Sequence, residues 1–107
     1  MPYVSPVVEN DFKDRLNKCV DNIKNSSIKY QSLGIFGSYA RNDYKASSDI
    51  DFCIIVPEKP ERWMMGALRE ELEMLHADVV FVTPQYFEHD NSKFTQQLRR
   101  DYKELKI

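Results

Sequence analysis

Three aspartates and a glycine–serine pair are the residues of this chain best suited to chemistry. Asp49 and Asp51 stand in Ser48-Asp49-Ile50-Asp51, directly before the apolar run Phe52-Cys53-Ile54-Ile55-Val56. Alternate residues of an extended strand point to one face, so the two carboxylates project together. Two like charges held that close are unfavourable unless a cation sits between them. Mg²⁺ suits the role: it is a hard ion, usually bound through one or two carboxylates plus substrate phosphates. Asp78 opens a second apolar run, Ala77-Asp78-Val79-Val80-Phe81-Val82-Thr83. If the two strands are neighbours, a third carboxylate joins the same face. Three acidic groups suit two divalent ions about 3.5–4 Å apart, as in phosphoryl-transfer sites. Asp at a strand start is common, and Asp-x-Asp alone says little. Its weight here comes from the contrast with residues 52–56, all apolar, which marks where the strand leaves the core at a functional edge.

Gly37-Ser38 lies between a strand candidate and a short helical stretch. A glycine there lets backbone N–H groups approach a phosphate closely, and a helix N-terminus favours the anion. The Ser38 hydroxyl can donate to a phosphate oxygen. Arg41, three residues on and on the same helix face, can meet the same triphosphate. Taken alone, Gly-Ser is more simply a helix cap. Asn42 tolerates the left-handed conformation and ends the short helix.

Elements to position these groups can be read along the chain. Phe12, Leu16, Cys19, Val20 and Ile23 form one apolar stripe of a helix over about Asn10 to Asn25, with Asn10 as its N-cap. Ser32 to Phe36 reads as a short strand, and Gly37 to Asn42 as a turn followed by one or two helical turns. Asp49 to Val56 is the strongest strand signal, closed by Pro57 and Pro60. Trp63, Ala67, Leu68, Leu72 and Leu75 mark a helix, with Gly66 inside it favouring a start after Glu61. Ala77 to Thr83 is the next strand, and Thr83-Pro84 reads as its exit into a short turn. Asn91 or Ser92 caps a last helix carrying Phe94, Leu98, Tyr102 and Leu105. The order α-β-α-β-α-β-α predicts an α/β or α+β domain, a small mixed sheet flanked by helices.

The 107 residues have room for a single domain, 1–107, with one compact core. Mean hydropathy is −0.56, and no apolar run nears the roughly 18 residues a membrane helix needs. Met1 to Asn10 has no basic cluster followed by an apolar stretch, so no secretory signal is expected. Cys19 and Cys53 fall in apolar patterns and read as buried thiols, which fits a reduced, cytoplasmic setting. Net charge is −2, so no global basic field draws nucleic acid to the chain.

The combined pattern resembles a family. Gly37-Ser38-Tyr39-Ala40-Arg41, ten residues between Ser38 and Asp49, Ser48-Asp49-Ile50-Asp51, and Asp78 in an apolar strand are similar to the DNA polymerase β nucleotidyltransferase superfamily. More closely, the chain resembles the minimal nucleotidyltransferases, or MNT proteins, which commonly act as antitoxins beside a HEPN-domain toxin. The resemblance covers about residues 33 to 83. It departs at Asn42, where many relatives have glycine. It implies a polymerase-β-like fold and a Mg²⁺-dependent transfer of a nucleotide, AMP from ATP, to a hydroxyl, with a tyrosine of a HEPN-type toxin as the acceptor. By the same resemblance Gly37 and Ser38 hold the triphosphate, Asp49 and Asp51 bind two Mg²⁺ ions, Asp78 binds the catalytic ion and helps deprotonate the acceptor, and Arg41 contacts phosphate.

Two other functions fit the same residues. The chain can neutralise a partner by occlusion alone, or act on a small molecule; little chain remains to build a small-molecule acceptor pocket. His76 at a helix end reads as a dipole partner, and His89 as exposed. Tyr39 either lines the nucleotide site or packs. Trp63-Met64-Met65 reads as core or partner surface. Lys93, Arg99, Arg100, Lys103 and Lys106 read as a solvated basic face, with contact to a nucleotide or acidic partner as the sharper alternative.

Overall fold

The computed structural model describes residues 5–106; residues 1–4 of the N-terminal stretch read above lie outside them. Helix α1 spans Pro6–Asn25, so it begins before Asn10. Ser5, not Asn10, is the N-cap: its side chain accepts the Val8 N–H at 3.3 Å, and Pro6 occupies the first turn, where its missing N–H costs nothing. Strand β1 (Ser32–Phe36) runs into helix α2 (Gly37–Arg41). Then follow β2 (Ile50–Ile55), α3 (Arg62–Glu73) and β3 (Ala77–Val82).

The chain after β3 differs from the sequence expectation. Thr83-Pro84 is not a turn but the start of helix α4 (Pro84–His89), in which the Thr83 side chain accepts the Tyr86 N–H at 3.3 Å. Ser92 caps α5 (Lys93–Asp101), as expected. That helix stops before Tyr102 and Leu105. Residues Lys103–Glu104 form a short strand, β4, instead.

The four strands lie in the order β3-β2-β1-β4. β2 and β3 are parallel, joined by α3; β1 is antiparallel to both β2 and β4. The sheet is therefore mixed, and β3 forms one edge. Period-two alternation divides the strand residues between two faces. Leu33, Ile35, Phe52, Ile54 and Val79 are buried in one cluster with Phe12, Val20 and Ile23 of α1 and Leu68 and Leu72 of α3. Cys53 and Val82 belong to a second, smaller cluster with Leu98 of α5, with Phe36, Ile55, Val80, Phe87 and Tyr102 against it. Both cysteines are buried free thiols, as expected, and burial pushes Cys19 up to about 11 and Cys53 up to about 12. No described helix is long and apolar enough to cross a membrane.

Candidate active site

The sheet register brings the acidic residues together. Asp51 pairs laterally with Asp78 across the parallel β2–β3 ladder and with Phe36 across the antiparallel β1–β2 ladder. Asp51 thus sits between Asp78 and the residue that leads into Gly37. Asp49 precedes β2 by one residue and is exposed, as is Asp78. The Asp78 carboxylate accepts the Val79 N–H at 2.9 Å. The turn before β3 is held from α1: Arg15 donates from Nε to the Leu75 carbonyl at 3.0 Å and from Nη2 to the His76 carbonyl at 2.9 Å.

Gly37 is required on two grounds. Its φ is +78°, in the left-handed region that glycine occupies without penalty, and a Cβ there would run into Asp51 Oδ2. The glycine turn and the central carboxylate are therefore in contact. Asn42 closes α2 in the left-handed conformation, with φ 65°, as its residue type suggested.

Asp51 is half-buried and its pKa is pushed up to about 6. Burial is the main cause, followed by repulsion from Asp78 and then Asp49, with Arg41 pulling the other way. This is the electrostatic signature of carboxylates sharing one site. Among the described residues no three acidic, histidine or cysteine groups converge closely enough to hold a metal ion as the side chains stand. The donor set nevertheless fits a hard divalent cation. It consists of carboxylate oxygens under mutual repulsion, and two of the three side chains, Asp49 and Asp78, are exposed beside the third.

Arg41 reaches away from α2. Its Nη1 donates to Asp101 Oδ2 at 2.6 Å and its Nε to Asp43 Oδ2 at 3.2 Å. Asp101 and Asp43 were not singled out in the sequence. For Asp101 a signal exists: it lies three residues after Leu98, on the buried stripe of α5, where a carboxylate needs a partner.

The remaining residues of interest divide. Tyr39 packs, its ring 5.3 Å from Phe12 and 4.8 Å from Tyr44 between centroids. Trp63 is exposed, Met64 half-buried and Met65 buried, so this triplet is neither wholly core nor wholly surface. His89 is exposed. Arg99 is not part of a solvated face: its Nη1 donates to the carbonyls of Phe87 at 2.6 Å and Asp90 at 2.9 Å, tying α5 to the end of α4. A cleft of about 400 Å³ opens beside the carboxylates, lined by Asp49, Arg69, Glu73, His76, Ala77 and Asp78.

Known proteins share this architecture. A candidate protein adenylyltransferase of Methanocaldococcus jannaschii is 35% identical over 75 residues, 69% of this chain and 86% of that protein. A candidate nucleotidyltransferase from Sulfolobus solfataricus has the same fold, with a TM-score of 0.65 at 18% identity over 97% of this chain and 89% of its own. So does a chain from the complex of tri-AMPylated Shewanella oneidensis HEPN toxin with MNT antitoxin, with a TM-score of 0.56 at 22% identity over 86% and 69%. The family model for the nucleotidyltransferase domain matches residues 15–104, a span that takes in the glycine turn, all three aspartates and Asp101. The chain belongs to the nucleotidyltransferase domain family and is a nucleotidyltransferase.

Proposed function

We propose that this chain transfers AMP from ATP to a tyrosine hydroxyl of a HEPN-type toxin and so serves as the antitoxin of a toxin–antitoxin pair. The observation that carries the reading is the lateral pairing of Asp51 with Asp78 beside the Gly37 turn, which sets carboxylates against a backbone able to approach phosphate closely. Support for AMP as the transferred group comes from the relative named for protein adenylyl transfer, and for the partner from the fold neighbour seen with an AMPylated HEPN toxin.

In this reading Gly37 and Ser38 hold the triphosphate, and Arg41 presents a guanidinium to it. Asp49, Asp51 and Asp78 would hold Mg²⁺, two ions in the full site, which when bound offsets the negative charge on the reacting phosphates. The acceptor oxygen bonds to the α-phosphorus, the α–β anhydride bond breaks, and pyrophosphate leaves. The hydroxyl proton passes to Asp78, whose exposed carboxylate faces the side cleft. The other residues position the reactants, and positioning with charge stabilisation accounts for most of the catalysis in phosphoryl transfer.

The test is incubation of the chain with a HEPN-type toxin, ATP and Mg²⁺, followed by intact-mass measurement and mapping of the modified residue. Addition of AMP to a toxin tyrosine, lost in Asp49→Asn/Asp51→Asn, is the expected result. An unmodified toxin that the double variant still neutralises would show that occlusion suffices.

A further inference from the structure

The nucleotide turn is tied to the far end of the chain. Asp101 is 8% exposed, the last residue of α5, and one of two buried polar residues among those described. A buried carboxylate needs charged and hydrogen-bonding partners, and Asp101 has both. Arg41 Nη1 donates to its Oδ2 at 2.6 Å, and Gln97 Nε2 reaches Oδ1 at 3.1 Å and Oδ2 at 3.0 Å. Gln97 lies one helical turn before Asp101, so the carboxylate is fixed from its own helix before it meets the arginine.

Asp101 is itself anchored. The next residue, Tyr102, lays its ring on Gly34 of β1 so closely that no side chain fits there, and its hydroxyl bonds the Ser32 hydroxyl. The Leu105 N–H then donates to the Leu33 carbonyl at 2.8 Å. The end of α5 is thus fixed to the strand that delivers Gly37.

Arg41 has Nε committed to Asp43 and Nη1 to Asp101. Its Nη2 makes no hydrogen bond among the described residues. Two carboxylates cancel much of its charge, so what they supply is direction. A guanidinium fixed through two nitrogens meets a phosphate with little further loss of side-chain freedom.

We infer that Asp101 is a positioning residue of the nucleotide site: it holds the Arg41 guanidinium where a nucleoside triphosphate meets its remaining nitrogen. This rests on the reading of Gly37, Ser38 and Arg41 as the triphosphate site. A competing possibility has the opposite sign. If Asp101 merely competes with phosphate for Arg41, removing its charge tightens binding.

The experiment is calorimetric titration of ATP with Mg²⁺ into the wild-type chain, Asp101→Asn, Arg41→Ala and the double variant, with thermal unfolding of each. Loss of a charged hydrogen bond predicts roughly tenfold weaker ATP binding by Asp101→Asn. In the Arg41→Ala background the same change should have no further effect, because its route is gone. Unchanged or tighter binding by Asp101→Asn overturns the inference, as does an equal loss in both backgrounds, which marks a general structural role. If Asp101→Asn fails to fold, Gln97→Ala removes the carboxylate's other holder and is read the same way. A wild-type chain that binds no ATP overturns the triphosphate-site reading itself, and this inference with it.

Discussion

The two faces of the sheet are made from the same strands and obey opposite rules. Toward α1 and α3, Phe52, Ile54 and Val79 are buried among apolar neighbours, and Phe12, Ile23, Leu68 and Leu72 fill the layer against them. One residue along, Asp51, Cys53 and Asp78 point the other way. There α4 and α5 cover only part of the surface, and the buried cluster reduces to Cys53, Val82 and Leu98. The first face contributes stability through area removed from water. The second holds three carboxylates near one another, and burial of Asp51 first, then repulsion from Asp78 and Asp49, raises the Asp51 pKa. A small domain can carry that disfavoured charge because the expense and the compensation sit back to back on one sheet.

The contrast can be broken or sharpened by experiment. Phe52→Ala, on the apolar face, should lower stability by about 3–5 kcal/mol through the cavity it leaves, as measured by denaturant unfolding. Asp51→Asn should do the reverse. Nucleotidyl transfer should fall at least about a hundredfold, the scale for losing a preorganised electrostatic group. Metal-free stability at neutral pH should rise by on the order of 1–2 kcal/mol, because a disfavoured buried charge is gone. A variant that loses both activity and stability would show that Asp51 belongs to the packing and not to the site. Gly37→Ala should cost about 1–2 kcal/mol through the strained positive φ and the collision with Asp51, and should weaken ATP binding along with it.

The smallest effect is a pH dependence. Asp51 has a folded pKa of about 6 against an ordinary value of 3.8. Its protonated form is thus favoured by folding. The stability it contributes is full below about pH 4 and is lost as pH rises through about 6. Unfolding of the metal-free chain should show this decline, on the order of 1 kcal/mol, and Asp51→Asn should abolish it. Saturating Mg²⁺ should reverse the sign, because the bound ion favours the carboxylate.

Local signals made much of this legible in the sequence. The β-branched runs after Asp49 and after Ala77 announced β2 and β3, and their acidic starts marked the carboxylates that the parallel register sets side by side. Helix α4 was missed because Thr83-Pro84 looks like a strand exit, although a threonine cap followed by proline is also a helix start. The same pairing at Ser5-Pro6 began α1 earlier than its apolar stripe suggested. Strand β4 has two exposed residues and no apolar pattern; it exists because β1 offers a free edge to Lys103 and Glu104. The Arg41–Asp101 pair spans 60 positions of sequence, and no periodicity reports a contact of that range. Tertiary pairing, not propensity, decides such features.

The position of β3 at the sheet margin has a consequence for the behaviour of the protein in solution. An outermost strand with the sequence Val79-Val80-Phe81-Val82 is a template on which another chain's strand can pair and begin to aggregate. The guanidinium of Arg69, 5.4 Å from the centre of the Phe81 ring, and the carboxylate of Asp78 put opposite charges along that margin. Charge on an edge strand is a common guard against self-association. Asp78 then guards the edge as well as lining the candidate site, and neutralising it should leave a chain prone to self-associate at high concentration, as light scattering would show.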